Sequence, residues 1–473
     1  MIKINEKKER VKMKLKKTVA YLMTAAVTAG CLTGCGKDGK NASNENLTTI
    51  TMWSNNSHSK DVMEKRVKEF NEGEGKKLGI YFEYEVKEGS SFSNSMDVAL
   101  QTGQAPDLLA IGNLQQNVEK GYVAPLDELP GGKEMIQKYE GKFMEGAHTY
   151  NGKTYSLPTE VTTRGLLYNK DMFKKAGIVD EDGNAKPPKN FKELREYAKK
   201  LTNESKNQYG IIFPMKWGGW VGSDINDFML QSAGNYGFDP TTGKYDYSAV
   251  IPVIETYQNI IKDGSAYPGM QGIDNDQARA YFAQGLIGMK FGYSFDVGVL
   301  NDQFPAECDW GVAPLPAIDG DEPQYKQFLS YGMSTMINAK SVKEKDPEKI
   351  MAVFKWFYSD ESVIENYKNC ISIPVEWDLV KDIDTKNLKK GWAEFTKMTE
   401  ISNKRNLMPN YDMSGKLTWA ERITDQVFAG KISAQKMVEQ YNKDITEATD
   451  KYYAAHTDED FNKYLDKSWD IKR

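Results

Sequence analysis

Residues 48–53 alternate β-branched with other side chains and then turn polar at Ser54-Asn55-Asn56. A period of two is what a strand with one buried face requires, so this run reads as a first strand. Residues 61–70 follow with Val62, Arg66, Val67 and Phe70 at helical spacing. Residues 80–86 read as a second strand, 94–102 as a helix stopped by Gly103, and 107–111 as a third strand. The third is short and wholly apolar, as a strand buried on both faces would be. Strand, helix and strand in turn imply an α/β domain with a mostly parallel sheet. Further along, Asn190-Phe191-Lys192-Glu193 is a capping-box pattern ahead of an apolar face of Leu194, Tyr197, Ala198 and Leu201. Val250, Val253, Ile254, Tyr257 and Ile261 form another face, and Pro347 opens a third helix running to about residue 358. Residues 445–473 mix charged and aromatic positions and read as a surface helix with a loose end.

Length and the N-terminal pattern change this picture. A chain of 473 residues calls for two or more lobes. Hydrophobic content of 40% and a mean hydropathy of −0.62 describe a soluble globular protein. The apolar run at 18–30 is shorter than the ~20 residues a membrane-spanning helix needs. Behind Lys14, Lys16 and Lys17 it fits a secretory leader. The leader closes on Leu32-Thr33-Gly34-Cys35, which resembles a bacterial lipobox. The resemblance implies lipidation of the Cys35 thiol and removal of residues 1–34. Cys31 is the weaker alternative, and Met13 is an alternative start. Residues 36–49 are rich in Gly, Lys, Asn, Ser and Thr and read as a flexible tether. Residues 1–34 carry eight Lys or Arg and two Asp or Glu, so their removal takes the formal net charge from −5 to −11. That balance argues against a nucleic-acid or anionic-surface partner.

Little in the chain suggests catalysis or a cofactor. Besides Cys35, the mature part holds only Cys308 and Cys370, for which two separate buried thiols are favoured over a bridge. His58, His148 and His456 lack metal-ligand spacing, and no phosphate-binding loop, dinucleotide fingerprint or nucleophile elbow occurs. No metal and no cofactor are expected. Aromatics say more. Several of the 26 Tyr, 19 Phe and 9 Trp lie beside Gly, Ser or Asn, as in Trp217-Gly218-Gly219-Trp220, a pattern more typical of loops than of helix-packed cores.

Six motifs then recur in one order. They are Thr102-Gly103-Gln104-Ala105-Pro106-Asp107-Leu108, Gly121-Tyr122-Val123-Ala124-Pro125-Leu126-Asp127 and Gly152-Lys153-Thr154-Tyr155-Ser156-Leu157-Pro158. Leu167-Tyr168-Asn169-Lys170-Asp171-Met172-Phe173, Phe282-Ala283-Gln284-Gly285-Leu286-Ile287-Gly288-Met289 and Gly311-Val312-Ala313-Pro314-Leu315-Pro316 complete the set. Over roughly 48–450 the chain resembles the extracellular solute-binding proteins of family 1, the maltodextrin-binding-like receptors of ABC sugar importers. The resemblance implies a periplasmic-binding-protein-like fold: two α/β lobes with a hinge and an interlobe ligand cleft. The expected division is a leader at 1–34, a tether at 35–47, lobe one at 48–159 with 313–345, lobe two at 163–312 with 346–450, and a surface tail at 451–473. The hinge would use Glu160 to Arg164 and the stretches near 312 and 345.

Sugars present apolar C–H faces edged with hydroxyls, so a sugar site needs aromatic plates beside planar polar groups. Open parallel sheets bind ligands beyond the carboxyl ends of their strands. By position in the family pattern, the expected ligand-binding residues are Trp53, Asn55, Asn113, Glu160, Thr162, Trp217, Trp220, Tyr293, Phe295, Asp296 and Trp419. Trp53 could instead face the core, Asp296 could cap a helix, and Trp419 could pack into lobe two. Trp217 and Trp220 could instead cover a lobe edge. Trp310 and Trp356 read as core, and Tyr168-Asn169 as structural. The resemblance implies a receptor and not an enzyme: a monomer, lipid-anchored at the extracellular face of the cell membrane. It would pass a carbohydrate, an oligosaccharide by preference, to ABC transporter permease subunits. Alternatives are a secreted glycoside hydrolase, a receptor for a non-sugar such as a polyamine, and an adhesin.

Overall fold

The computed structural model describes residues 47–472, apart from 88, 326, 329–333, 399–400 and 403–407. The expected leader, nearly all of the expected tether and Cys35, the expected site of lipidation, lie outside the described residues.

Nine strands build the two larger sheets: β1 (Thr48–Ser54), β2 (Ile80–Val86), β3 (Leu108–Ile111), β4 (Val123–Ala124), β5 (Arg164–Asn169), β6 (Tyr209–Ile211), β7 (Ile287–Tyr293), β8 (Trp310–Ala313) and β9 (Ser334–Asn338). The first sheet has the order β2-β1-β3-β9-β4, the second β8-β5-β7-β6. Each is the heart of one α/β lobe.

In the first, β1 runs parallel to β2 and β3, while β9 is antiparallel to β3 and β4. The period-two reading of β1 holds: Ile50, Met52 and Ser54 are buried on one face, and Trp53 is half-buried on the other. All four residues of β3 are buried. The second sheet is mixed. Its central strand β5 is antiparallel to both β7 and β8, and only β6 and β7 run parallel. Successive residues Leu166 and Leu167 enter different apolar clusters, so β5 is covered on both faces. Trp310 is buried there, as expected, whereas Trp356 is half-buried at the rim of the first lobe's core.

Of the capping box read at Asn190, the N-cap half forms, while the Glu193 side chain reaches one residue further back, to Lys189. Asn190 accepts from the Glu193 backbone N–H at 3.0 Å, and Glu193 Oε2 accepts from the Lys189 N–H at 2.8 Å. The helix they open, Phe191–Leu201, buries Leu194, Tyr197, Ala198 and Leu201. In the helix Ile251–Lys262 the buried stripe is Val253, Ile254, Tyr257 and Ile260, with Ile261 turned partly outward. Both remaining cysteines are free thiols, Cys370 buried and Cys308 half-buried.

Two boundaries differ from the expected division. The helix Pro347–Phe357 packs Ile350, Met351, Val353 and Phe354 against Ile50, Phe82, Leu108 and Met336, so it belongs to lobe one, not lobe two. The reason is connectivity: it follows β9, and a helix buries its apolar stripe on the nearest open sheet face. Conversely, Ala313 and Leu315 join the second lobe's core, and Ala317 O accepts from Phe191 N–H at 2.9 Å. The chain therefore crosses between lobes around 158–163, somewhere between Ala317 and Ser334, and around 358–373. The last crossing pairs Ile373 and Pro374 with Val161 and Glu160 of the first.

The C-terminal stretch also departs from expectation. The helix Ala434–Ala455 ends, and the chain beyond it lies down on lobe two. Asp466 N–H reaches Pro240 O at 2.9 Å, Trp469 Nε1 reaches Gly234 O at 2.9 Å, and Tyr464 and Ile471 are buried. These anchors follow neither helical nor strand spacing, which is why the pattern reads as loose.

Candidate functional site

The carboxyl ends of β1, β3 and β7 carry most of the expected ligand residues. After β1, Ser54 Oγ accepts from Asn56 N–H at 3.1 Å and turns the chain into a short helical turn, Ser57–Ser59. Asn55 is half-buried at that turn. Trp53, the residue before Ser54, has the Lys87 ammonium 4.1 Å from its ring centre, and Lys87 also pairs with Glu85 at 2.8 Å. Asn113 follows β3 in the left-handed region at φ 50° and caps the helix Leu114–Glu119. Its oxygen accepts from Gln116 N–H and its amide donates to Gln116 Oε1, so both polar ends are engaged locally.

After β7 the chain forms an aromatic wall. Tyr293 and Phe295 stack with ring centres 5.0 Å apart and planes 12° from parallel. Trp217 meets Tyr293 edge to face, at 6.4 Å and 87°. Trp217 lies over its own turn: a Cβ at Gly219 would come within 2.6 Å of the indole, so the ring fits there because position 219 has no side chain. Tyr293, Phe295 and Trp217 are all half-buried. Thr162 precedes Thr163, whose carbonyl accepts from Ser294 N–H at 2.9 Å. The segment that continues beyond the wall meets lobe one at a point: Gln303 Nε2, at the end of the helical turn Val299–Gln303, donates to Ser57 O at 2.9 Å. The segments following β1 and β7 therefore face one another.

Buried charge backs the wall. Arg164, paired in register with Tyr293, is 4% exposed, and its guanidinium carbon sits 5.2 Å from the Tyr293 ring centre. It donates to Asp227 at 2.7 Å, to Asp224 at 3.2 Å, and to the Ser223 carbonyl. A widened helical turn, Gly222–Asn226, presents Ser223 and Asp224 to it. Arg279, 5.4 Å from the Phe295 ring centre, forks between Asp276 at 2.6 Å and Asp296 at 2.5 Å. Lys290 is buried in β7, donates to Phe291 O at 2.8 Å and stands 3.9 Å from Asp296. Burial pushes the Asp296 carboxyl up, but Arg279, Lys290 and the Tyr293 N–H outweigh it and hold it below the ordinary carboxylate value. At Asp224 burial wins over Arg164 and Ser223, and the carboxyl is raised.

Glu160 stands at the first crossing. Its carboxylate accepts from Asn366 at 2.6 Å, and Asn366 accepts in turn from Arg66 of lobe one at 2.7 Å. Burial raises the Glu160 carboxyl against the opposing pull of Asn366, Ser372 and Arg66.

The structure thus gathers Tyr293, Phe295 and Trp217 into one surface, with Asn55 on the facing loop. Three residues of the sequence reading fall elsewhere. Trp220 is 2% exposed and packs in the lobe-two core near Phe428, at the start of the helical run that follows the Trp217 turn. Asp296 is fully buried; it neither faces outward nor caps a helix, but accepts from Tyr293 N–H and Arg279. Trp419 lies between Tyr247 and Tyr441, with Nε1 donating to Asn226 at 3.0 Å, which ties it to the turn that braces Arg164. The residues that sequence reasoning missed are Arg164, Asp224, Asp227 and Arg279. A signal existed for one: Arg164 opens an otherwise uncharged strand run, Gly165-Leu166-Leu167-Tyr168-Asn169, and a charge in such a place must be paired. Among the described residues no group of three or more His, Cys, Asp or Glu could hold a metal ion, and no helix is long and apolar enough to cross a membrane.

Residues 56–364 match the family model of the bacterial extracellular solute-binding proteins. A maltotriose-binding protein of Pyrococcus abyssi is 28% identical over 297 residues, 62% of this chain and 60% of its own. A binding protein of Brucella abortus is 28% identical over 256 residues, 52% of this chain and 57% of its own. The matches to these curated relatives thus span about three-fifths of the relatives' length. Among solved structures, the maltose/maltodextrin-binding domain of Bdellovibrio bacteriovorus bound to maltotriose aligns with a TM-score of 0.63 at 21% identity. That alignment covers 85% of this chain and 99% of that domain. Its likeness is one of fold, the two-lobed α/β arrangement described above. The chain belongs to the bacterial extracellular solute-binding protein family.

Proposed function

We propose that the protein is an extracellular receptor, tethered through Cys35, that captures an oligosaccharide between its lobes and delivers it to an ABC importer. The observation that carries this reading is the wall of Trp217, Tyr293 and Phe295 at the end of β7, set opposite the loop after β1. Aromatic faces suit the apolar C–H face of a pyranose, while Asn55 and Thr162 supply edges that meet hydroxyls. The relative named for maltotriose binding and the structural neighbour bound to maltotriose support the choice of sugar as ligand class. The chain's own work is recognition: ligand touching both lobes favours the closed form by its differential affinity, and no bond is broken.

The test is a titration of the mature chain with maltotriose and other neutral oligosaccharides, read by calorimetry and solution scattering together. A bound sugar should lower the radius of gyration with the calorimetric midpoint, because both report one equilibrium. At 100 times its dissociation constant it should stabilise the fold by about 2.7 kcal/mol. Product release in place of compaction would make the protein a hydrolase. Tight binding without compaction would leave a receptor that does not close.

The anchor has its own test. Cys35→Ala should move the protein from the membrane fraction to the medium, read by fractionation and immunoblotting. Retention on membranes would place the anchor elsewhere.

A further inference from the structure

The structure assigns Arg279 a role outside recognition itself: we propose that it is a positioning residue, which fixes the plane of Phe295 and the turn after β7 through Asp296 and Asp276. The proposal rests on the reading of the wall as a sugar surface. Arg279 sits on the helix Asn275–Ala283, one element away from the wall, and is itself nearly buried. Its Nε and Nη2 both reach Asp296 Oδ1, at 2.8 and 2.5 Å, while Nη1 reaches Asp276 Oδ1 at 2.6 Å. The other oxygen of Asp296, Oδ2, accepts from the Tyr293 backbone N–H at 3.1 Å. One carboxylate therefore joins the guanidinium to the backbone of Tyr293, the first of the two stacked rings. The same guanidinium lies 5.4 Å from the Phe295 ring centre, within cation–π range.

Each of these contacts needs a planar fork. A lysine keeps the charge but has no two-armed geometry to bridge two acids while lying against a ring. The consequence is preorganisation. A ring whose rotamer is already fixed gives up little freedom when a ligand stacks on it, so affinity depends on a group that touches no ligand. The same segment, from Tyr293 to Gln303, also carries the contact to Ser57 of lobe one. Loosening it at Asp296 would disturb both the wall and the point where the lobes meet.

Two variants test the role. Arg279→Lys keeps the buried charge. Asp276→Asn removes one arm at a carboxylate whose side chain is 66% exposed, so the fold has little reason to fail. Maltotriose is the probe, with calorimetry run well below the melting temperature of each variant. Near-ultraviolet circular dichroism without sugar reads the order of the aromatic wall directly. The expected result is a weaker near-ultraviolet signal in Arg279→Lys with the far-ultraviolet spectrum unchanged. Maltotriose affinity should fall at least tenfold in Arg279→Lys and by a smaller factor in Asp276→Asn. A lower melting temperature with unchanged near-ultraviolet signal and affinity would reduce Arg279 to a structural residue and overturn the proposal. If the parent takes no maltotriose, the near-ultraviolet signal alone decides: unchanged in Arg279→Lys, it overturns the proposal. Trp217→Ala separates the two ideas. Affinity kept in Trp217→Ala sinks the wall as a sugar surface; affinity lost there but kept in both charge variants sinks only the positioning role.

Discussion

Arg164→Met should lower the stability of the protein by about 3–5 kcal/mol, the cost of breaking a buried ion pair from one side. Arg164 is held by Asp224, Asp227 and the Ser223 carbonyl, and both its side chain and that of Asp224 are 4% exposed. Methionine fills much of the same volume and leaves the stem contacts in place, so the loss reports the charge. What remains is a buried Asp224 with its main cation gone and a carbonyl with one donor fewer. Urea denaturation followed by circular dichroism measures the effect. The charge argument makes a second demand: Arg164→Met with Asp224→Asn should be more stable than Arg164→Met alone, because the stranded carboxylate is gone. A double variant no better than the single would mean that Arg164 acts through packing. Near Arg164 the side chain of Asp227 is 26% exposed, so water can take over part of its share. Asp224 is thus the partner whose loss of pairing matters most.

This charged layer is also where the sequence was hardest to read. Periodicity finds an element when its buried face repeats. It finds β1 and the helix Phe191–Leu201, whose apolar positions recur every two residues or every three to four, while β3 shows as an unbroken apolar run. The order of six motifs carried the two-lobed fold. Ion pairs have no period. Arg164, Asp224, Asp227, Arg279 and Asp296 are scattered over more than a hundred residues and meet only when β5, β7 and two helical turns are assembled. Asp296 follows the right strand and was therefore read as facing ligand, although its oxygens are turned inward to Arg279 and the Tyr293 N–H. The lobe boundary failed for a related reason. The apolar stripe of Pro347–Phe357 is legible, but nothing in a stripe says which sheet it will cover. The tail shows the same limit: Tyr464, Trp469 and Ile471 each find a separate site on lobe two, with no repeat to announce them.

Trp217 and Trp220 should respond to alanine in opposite ways. They are three residues apart on a glycine-containing turn, so composition and neighbours give them the same appearance. Geometry separates them. Trp220 is 2% exposed and packed in the lobe-two core, where removal of a large aromatic leaves a cavity that the surroundings fill only in part. Its truncation should cost about 3–5 kcal/mol of stability. Trp217 is half-buried over Gly219 and faces the edge of Tyr293, so its truncation opens a surface and not a cavity. The expected stability loss is small, while sugar affinity should fall by about 1–3 kcal/mol, the worth of a large apolar face and an aromatic contact. Melting curves and calorimetry on both variants give the two columns of this comparison. In Trp220→Ala, measured where the protein is still folded, affinity should stay within a few-fold of the parent. A large affinity loss in Trp220→Ala with no change in Trp217→Ala would reverse the assignment and move the ligand surface off the end of β7.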